Sequence, residues 1–195
     1  MEIINGERLV LGTCYYPEHW DESLWRDDLR RMLENGIEVI RIAEFAWSKI
    51  ERYEGVFNYD FFDRFLDLAE EMGMKVIFCT PTATPPAWLT EKYPEVLNAN
   101  MDGVLYRHGA RRHYNYNSPK YQELTRIIVE KSASHYAKHP AIIGWQIDNE
   151  LNCEKDVFYS ESDTIAFRKF LEKKYETIDA LNAAWGTNFW NQTYN

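Results

Sequence analysis

A glutamate fixed at the end of a rigid strand can give or take a proton at a defined point in space. Ile142-Ile143-Gly144-Trp145-Gln146-Ile147 reads as a buried strand, and it runs directly into Asp148-Asn149-Glu150. In parallel α/β architectures the carboxyl ends of strands open onto the active-site face, which makes Glu150 a candidate acid or base. Three earlier apolar runs end in the same manner. Tyr15-Tyr16-Pro17-Glu18-His19-Trp20 follows the first, Glu44-Phe45-Ala46-Trp47 the second and Pro81-Thr82-Ala83-Thr84-Pro85-Pro86-Ala87-Trp88 the third. On parallel strands all four endings share one rim. Carboxylates, an imidazole and several indoles gathered there suit a saccharide, which offers hydroxyls to polar acceptors and apolar ring faces to aromatic groups. The plainer alternatives are that Asn149 and Glu150 only end a strand, that Trp47 and Trp88 are core, and that Glu18 and His19 are solvated loop. A basic group, Arg107, His108, Arg111, Arg112 and His113, lies in the segment before the last strand. One or more of these can orient a hydroxyl or tune a carboxylate, because guanidinium is permanently charged and presents rigid donors.

The elements that must position these groups alternate. Leu9 to Tyr15 is a short apolar run, and Trp25, Leu29, Met32 and Leu33 then hold one helical face that Asn35-Gly36 ends. Ile37 to Ala43 reads as a second strand. Phe62, Phe65, Leu66, Ala69 and Met72 make another helical face, Gly73 stops it, and Met74 to Thr80 is a third strand. Residues 81 to 117 are too rich in Pro, Thr, Asn and Arg to be one element, and long loops of this kind are commonly functional. Ser118-Pro119 marks the start of a helix carrying Tyr121, Leu124, Ile127 and Ile128. After the strand that ends at Glu150, helical patterns run through Ile165 to Leu171 and through Ile178 to Trp185. The result is an α/β chain of four βα units. A doubly wound open sheet and a (β/α)8 barrel both accommodate them, but no G-x-G-x-x-G or G-x-x-x-x-G-K turn marks a nucleotide site. A complete barrel takes ~250 residues or more, so four units amount to half of one.

Composition narrows the partners. With 195 residues, 45% of them hydrophobic, the chain can bury one core, and its formal charge of −9 disfavours nucleic acid and anionic membrane. Aromatic residues make up 15% of the chain, an abundance that suits sugar stacking. Cys14, Cys79 and Cys153 are odd in number and lack paired metal spacing, as expected of reduced thiols in a cytoplasmic protein. The first eight residues contain no secretory pattern, and no apolar run reaches the ~20 residues of a membrane span.

Six motifs in order resemble glycoside hydrolase family 42, the β-galactosidases. They are Cys-Tyr-Tyr-Pro-Glu-His-Trp at 14 to 20, Arg-Ile-Ala-Glu-Phe-Ala-Trp-Ser at 41 to 48, Thr-Pro-Thr-Ala-Thr-Pro-Pro-Ala-Trp-Leu at 80 to 89, Arg-Arg-His-Tyr at 111 to 114, Gly-Trp-Gln-Ile-Asp-Asn-Glu at 144 to 150 and Leu-Asn-Ala-Ala-Trp-Gly-Thr-Asn-Phe-Trp at 181 to 190. The resemblance implies the N-terminal half of a (β/α)8 TIM barrel, with residues 1 to 195 forming its first four βα units. It further implies retaining hydrolysis of terminal β-D-galactosyl residues. By motif match Glu150 is the acid/base, Asn149 binds the sugar hydroxyl next to the anomeric carbon, and Arg111, Glu44 and Trp190 contact galactose. The expected partners are a β-galactoside and the rest of the barrel, with self-association left open.

Two departures accompany the match. A retaining glycosidase needs two carboxyls ~5 to 5.5 Å apart. In the family the nucleophilic Glu lies on a later strand, about the seventh, and no carboxylate here matches it. Many relatives also hold zinc through four cysteines, whereas Asn115 stands at the first of those positions and Phe158-Tyr159-Ser160-Glu161 near the others. No metal and no cofactor is expected. The same residues leave open a galactoside-binding or inert fragment without catalysis, and a barrel glycosidase for a different pyranoside.

Overall fold

The structure is a computed structural model in which residues 9–109, 111–151, 153, 155 and 157–195 are described. The reading of the first eight residues lies outside that set. Four parallel strands, β1 (Leu11–Cys14), β2 (Ile37–Ile42), β5 (Lys75–Cys79) and β6 (Ile142–Gln146), form one sheet in the order β1-β2-β5-β6. Each lies within the span its apolar run predicts.

Helices connect the strands. α1 (Glu22–Glu34) joins β1 to β2, α3 (Asp60–Glu71) leads into β5, and α5 (Pro119–Tyr136) leads into β6. Gly36 and Gly73 turn α1 and α3 back into strands at φ 79° and 77°, a region open to glycine because it has no Cβ. α5 begins as its sequence predicts, with the Ser118 hydroxyl accepting from the Tyr121 amide and Pro119 in the first turn. α6 (Glu161–Tyr175) and α7 (Ile178–Trp185) follow β6. Ser160 and Asp163 start α6 by exchanging side-chain to backbone hydrogen bonds.

The pleat divides the sheet into two faces. Ile40, Ile42, Val76 and Phe78 point to the helix side and are fully buried, with Phe78 packed among Phe62, Tyr136 and Trp145. Gly12, Cys14, Val39, Arg41 and Ile77 line a groove of about 340 Å³ on the other side. In a closed barrel that face is interior.

The connection from β2 to α3 holds three short elements that periodicity did not predict. α2 (Trp47–Ile50) runs into an antiparallel hairpin of β3 (Glu51–Tyr53) and β4 (Val56–Phe57). Glu51 fixes it from inside, accepting from the Trp47 indole at 2.7 Å and the Gly55 amide at 2.7 Å. Glu54-Gly55 was the available sign, but strands this short carry no readable alternation. The long segment contains α4 (Ala87–Lys92) and folds back on itself through antiparallel bridges Leu97–Tyr114 and Ala99–Leu105. Among the described residues no helix is long and apolar enough to cross a membrane.

Candidate active site

Parallel strands place all four endings at one edge of the sheet, and hydrogen bonds join them. Glu44 follows β2 by two residues, after Ala43 at φ 75°, and is fully buried. Its Oε1 accepts from the Tyr16 hydroxyl at 2.8 Å and from Arg41 Nη2 at 2.6 Å. The Cys79 thiol donates to Oε2 at 3.7 Å. Burial, with Glu44 beside it, pushes that thiol up to about 12, so it stays a thiol. Burial, then the bond to Glu44, also raises Tyr16, which keeps its proton as a donor.

Arg41 carries the link across the sheet. Its Nη1 donates to Gln146 Oε1 at 2.9 Å, and Gln146 Nε2 donates to Asn149 Oδ1 at 3.1 Å. Glu44 and Asn149 are therefore tied through two side chains that stand on the inner face. Neither Arg41 nor Gln146 was singled out from sequence. The sign was there, since a long polar side chain at the end of an otherwise apolar parallel strand has to reach a partner.

Glu150 lies beyond this frame. Its side chain is 52% exposed and pairs with Arg111, whose guanidinium stands 5.6 Å from the centre of the Phe45 ring. The Arg111 bond holds the Glu150 carboxyl below the usual carboxylate range. Arg111, Asn149, Glu150 and Glu44 are thus gathered on one rim. Trp190 is not joined to them by any described contact. It sits past α7, 79% exposed at φ 56°, with Phe189 as its one ring neighbour among the described residues, at 5.8 Å.

The other aromatic candidates divide by burial. Trp47 is fully buried, and the Trp88 indole donates to the Glu51 carbonyl at 3.0 Å, so both brace the hairpin. His19 is exposed against Tyr16 at 5.5 Å. Burial raises the Glu18 carboxyl. Of the basic cluster, Arg112 and His113 are buried.

The zinc positions hold no matching donor set. Asn115 is buried and directs its Nδ2 at the Ser160 and Ser162 hydroxyls, the latter at 2.6 Å, while its Oδ1 accepts from the Asn117 amide at 2.7 Å. The group it presents there is an amide N–H, which carries no lone pair for a cation. Four-thiolate coordination does not fit these residues.

The family model described as β-galactosidase, glycoside hydrolase family 42, matches residues 14–195. The chain belongs to this family. It is 46% identical over 186 residues to the β-galactosidase BgaA of a Thermus species, covering 95% of this chain and 29% of that one. It is 43% identical over 185 residues to the β-galactosidase Bga of Halorubrum lacusprofundi, covering 94% and 26%. The solved β-galactosidase of a psychrophilic Marinomonas superposes at a TM-score of 0.92 with 44% identity, over 96% of this chain and 29% of that one. This family 42 chain thus spans somewhat over a quarter of the length of the relatives it matches, and its four βα units are the first half of their (β/α)8 barrel.

Proposed function

We propose that this chain is the first half of the catalytic barrel of a retaining β-galactosidase, residues 1 to 195 contributing four βα units and Glu150 the general acid/base. Asn149 then binds the hydroxyl beside the anomeric carbon, and Arg111, Glu44 and Trp190 contact galactose. The observation that supports the reading is the hydrogen-bonded line from Glu44 through Arg41 and Gln146 to Asn149, the residue next to Glu150. The nucleophile belongs to a later strand of the barrel. Cys14, Cys79 and Cys153, none of them in a disulfide, suit a cytoplasmic enzyme.

The Arg111 contact gives this reading a definite sequence of events. A general acid must hold a proton at the operating pH, so its carboxyl needs a raised pKa. Paired with Arg111, Glu150 is instead held ionised. A galactoside that draws the Arg111 guanidinium to its own hydroxyls releases Glu150, and the bound sugar desolvates it. Glu150, no longer held ionised, takes up a proton from solvent, passes it to the leaving oxygen as the glycosidic bond breaks and, in the second half-reaction, takes one from the attacking water. The test is a panel of aryl β-galactoside, β-glucoside, β-mannoside and α-galactoside substrates given to this chain together with the remaining strands of the barrel. Preferential hydrolysis of the β-galactoside is expected, and an equal or greater rate on another pyranoside contradicts the assignment.

A further inference from the structure

Arg112, rather than its neighbour Arg111 alone, holds a central place behind the acid/base. Its guanidinium is 1% exposed, and a buried charge is costly unless paired and hydrogen-bonded. Nη1 donates to the Tyr114 hydroxyl at 2.5 Å, to the Tyr116 hydroxyl and to Asp148 Oδ1 at 3.2 Å. The rings of Tyr114 and Tyr116 flank it at 5.9 and 5.8 Å.

Asp148 is the other half of the device. It is buried, its Oδ2 accepts from the Thr82 hydroxyl at 2.8 Å, and its own amide donates to Thr80 Oγ1 at 2.7 Å. Its Oδ1 also accepts from the Asn149 amide at 2.6 Å. That last bond closes the chain at the point where β6 ends, with Asp148 at φ 55° and Glu150 at φ 45°. Left-handed backbone at a residue with a Cβ is strained and persists only where surrounding contacts impose it. Here the contacts are the Asp148 carboxyl and the groups that hold it.

We propose that Arg112, acting through Asp148, is a positioning residue for the acid/base: it fixes the strained turn at 148–150 that aims Glu150 and presents Asn149. The proposal rests on the function assigned to Glu150 above. Arg112 also adds a positive charge near the Glu150 carboxyl, so the device sets both where the proton is held and how tightly.

The test uses the complete enzyme and two aryl β-galactosides, one with a good leaving group and one with a poor one. Arg112→Met should lower kcat on the poor leaving group about 100-fold, the scale of a displaced catalytic group, with KM little changed. The loss on the good leaving group should be much smaller, because that substrate does not need the acid. Removing the cation lets the Glu150 carboxyl bind its proton more tightly, so the alkaline limb of the kcat/KM profile should move to higher pH. Arg112→Lys should restore that limb while recovering only part of kcat. Where Arg112→Met fails to fold, Asp148→Asn carries the same leaving-group comparison. Equal losses on both substrates, or a lowered unfolding temperature with kcat and the pH profile unchanged, overturn the proposal. If Glu150→Gln matches the unmodified enzyme on the poor leaving group, the functional assignment fails instead, and the positioning role fails with it.

Discussion

Glu44 and Glu150 stand at the same end of one sheet in opposite surroundings. Glu44 ends an inner strand, with β1 on one side and β5 on the other, and takes hydrogen bonds from Tyr16, Arg41 and Cys79. Glu150 ends an edge strand, half in water, with Arg111 as its partner and no described strand beyond β6. The same contrast divides the two faces of the sheet. Helices seal Ile40, Ile42, Val76 and Phe78, while Arg41 and Ile77 of the facing side line an open groove. A strand-end carboxylate is therefore only as organised as the strands flanking it. The Glu44 side is flanked by described strands on both sides, and on the function proposed above the Glu150 side takes its remaining wall from later strands of the barrel.

The largest expected effect separates the chain alone from the chain with its partner strands. Alone, it should hydrolyse an aryl β-galactoside negligibly and sediment as associated material, because two open sheet edges and an uncovered face recruit other chains. A monomer turning over at ~1 per second or faster would mean that a carboxylate within these residues, Glu44 first, is the nucleophile.

The two faces can be set against each other by truncation. Phe78→Ala should cost about 3 to 5 kcal/mol of unfolding free energy in denaturant titrations, the range for a fully buried aromatic residue. Ile77→Ala, on the open face, should cost well under half of that. Equal costs would show that something covers the inner face in the chain alone.

A smaller effect separates the two carboxylates. Glu44→Gln removes the partner of the partly exposed Arg41 and half the acceptors of a buried cluster, a loss of about 1 to 3 kcal/mol. Glu150→Gln should leave the unfolding midpoint where it was. A stability loss at Glu150 as large as at Glu44 would erase the distinction between them.

Much of this architecture is legible in the sequence, for reasons that can be named. Four apolar runs, two helix faces closed by Gly36 and Gly73, and the Ser118-Pro119 start all express local rules, and each element lies where those rules put it. The gathering of Glu44, Asn149 and Glu150 follows from parallel strands alone, whereas Arg111 reaches them from the long segment before α5. What escaped has a different character. Arg41 and Gln146 are 105 positions apart and meet because β2 and β6 flank β5, a neighbourhood that no local pattern encodes. Arg112 is, in the sequence, one of five clustered basic residues with nothing to single it out, yet the loop carrying it folds back through the bridges Leu97–Tyr114 and Ala99–Leu105 and Arg112 is buried. Trp47 and Trp88 read from sequence as rim aromatics, with core as the plainer alternative, and the hairpin around Glu51 holds both indoles away from that role.

The central claim is that Glu150 serves as both acid and base, and chemical rescue tests it most directly. In the complete enzyme, Glu150→Gln should lose ~10² to 10⁴-fold in rate on an unactivated β-galactoside, because an amide keeps the shape but cannot transfer the proton. On an aryl β-galactoside with a good leaving group, added azide should restore turnover and yield β-galactosyl azide, since the anion replaces the base-activated water that attacks the glycosyl-enzyme. Unaltered hydrolysis of the unactivated galactoside by Glu150→Gln, or an α-configured azide product, would contradict the account.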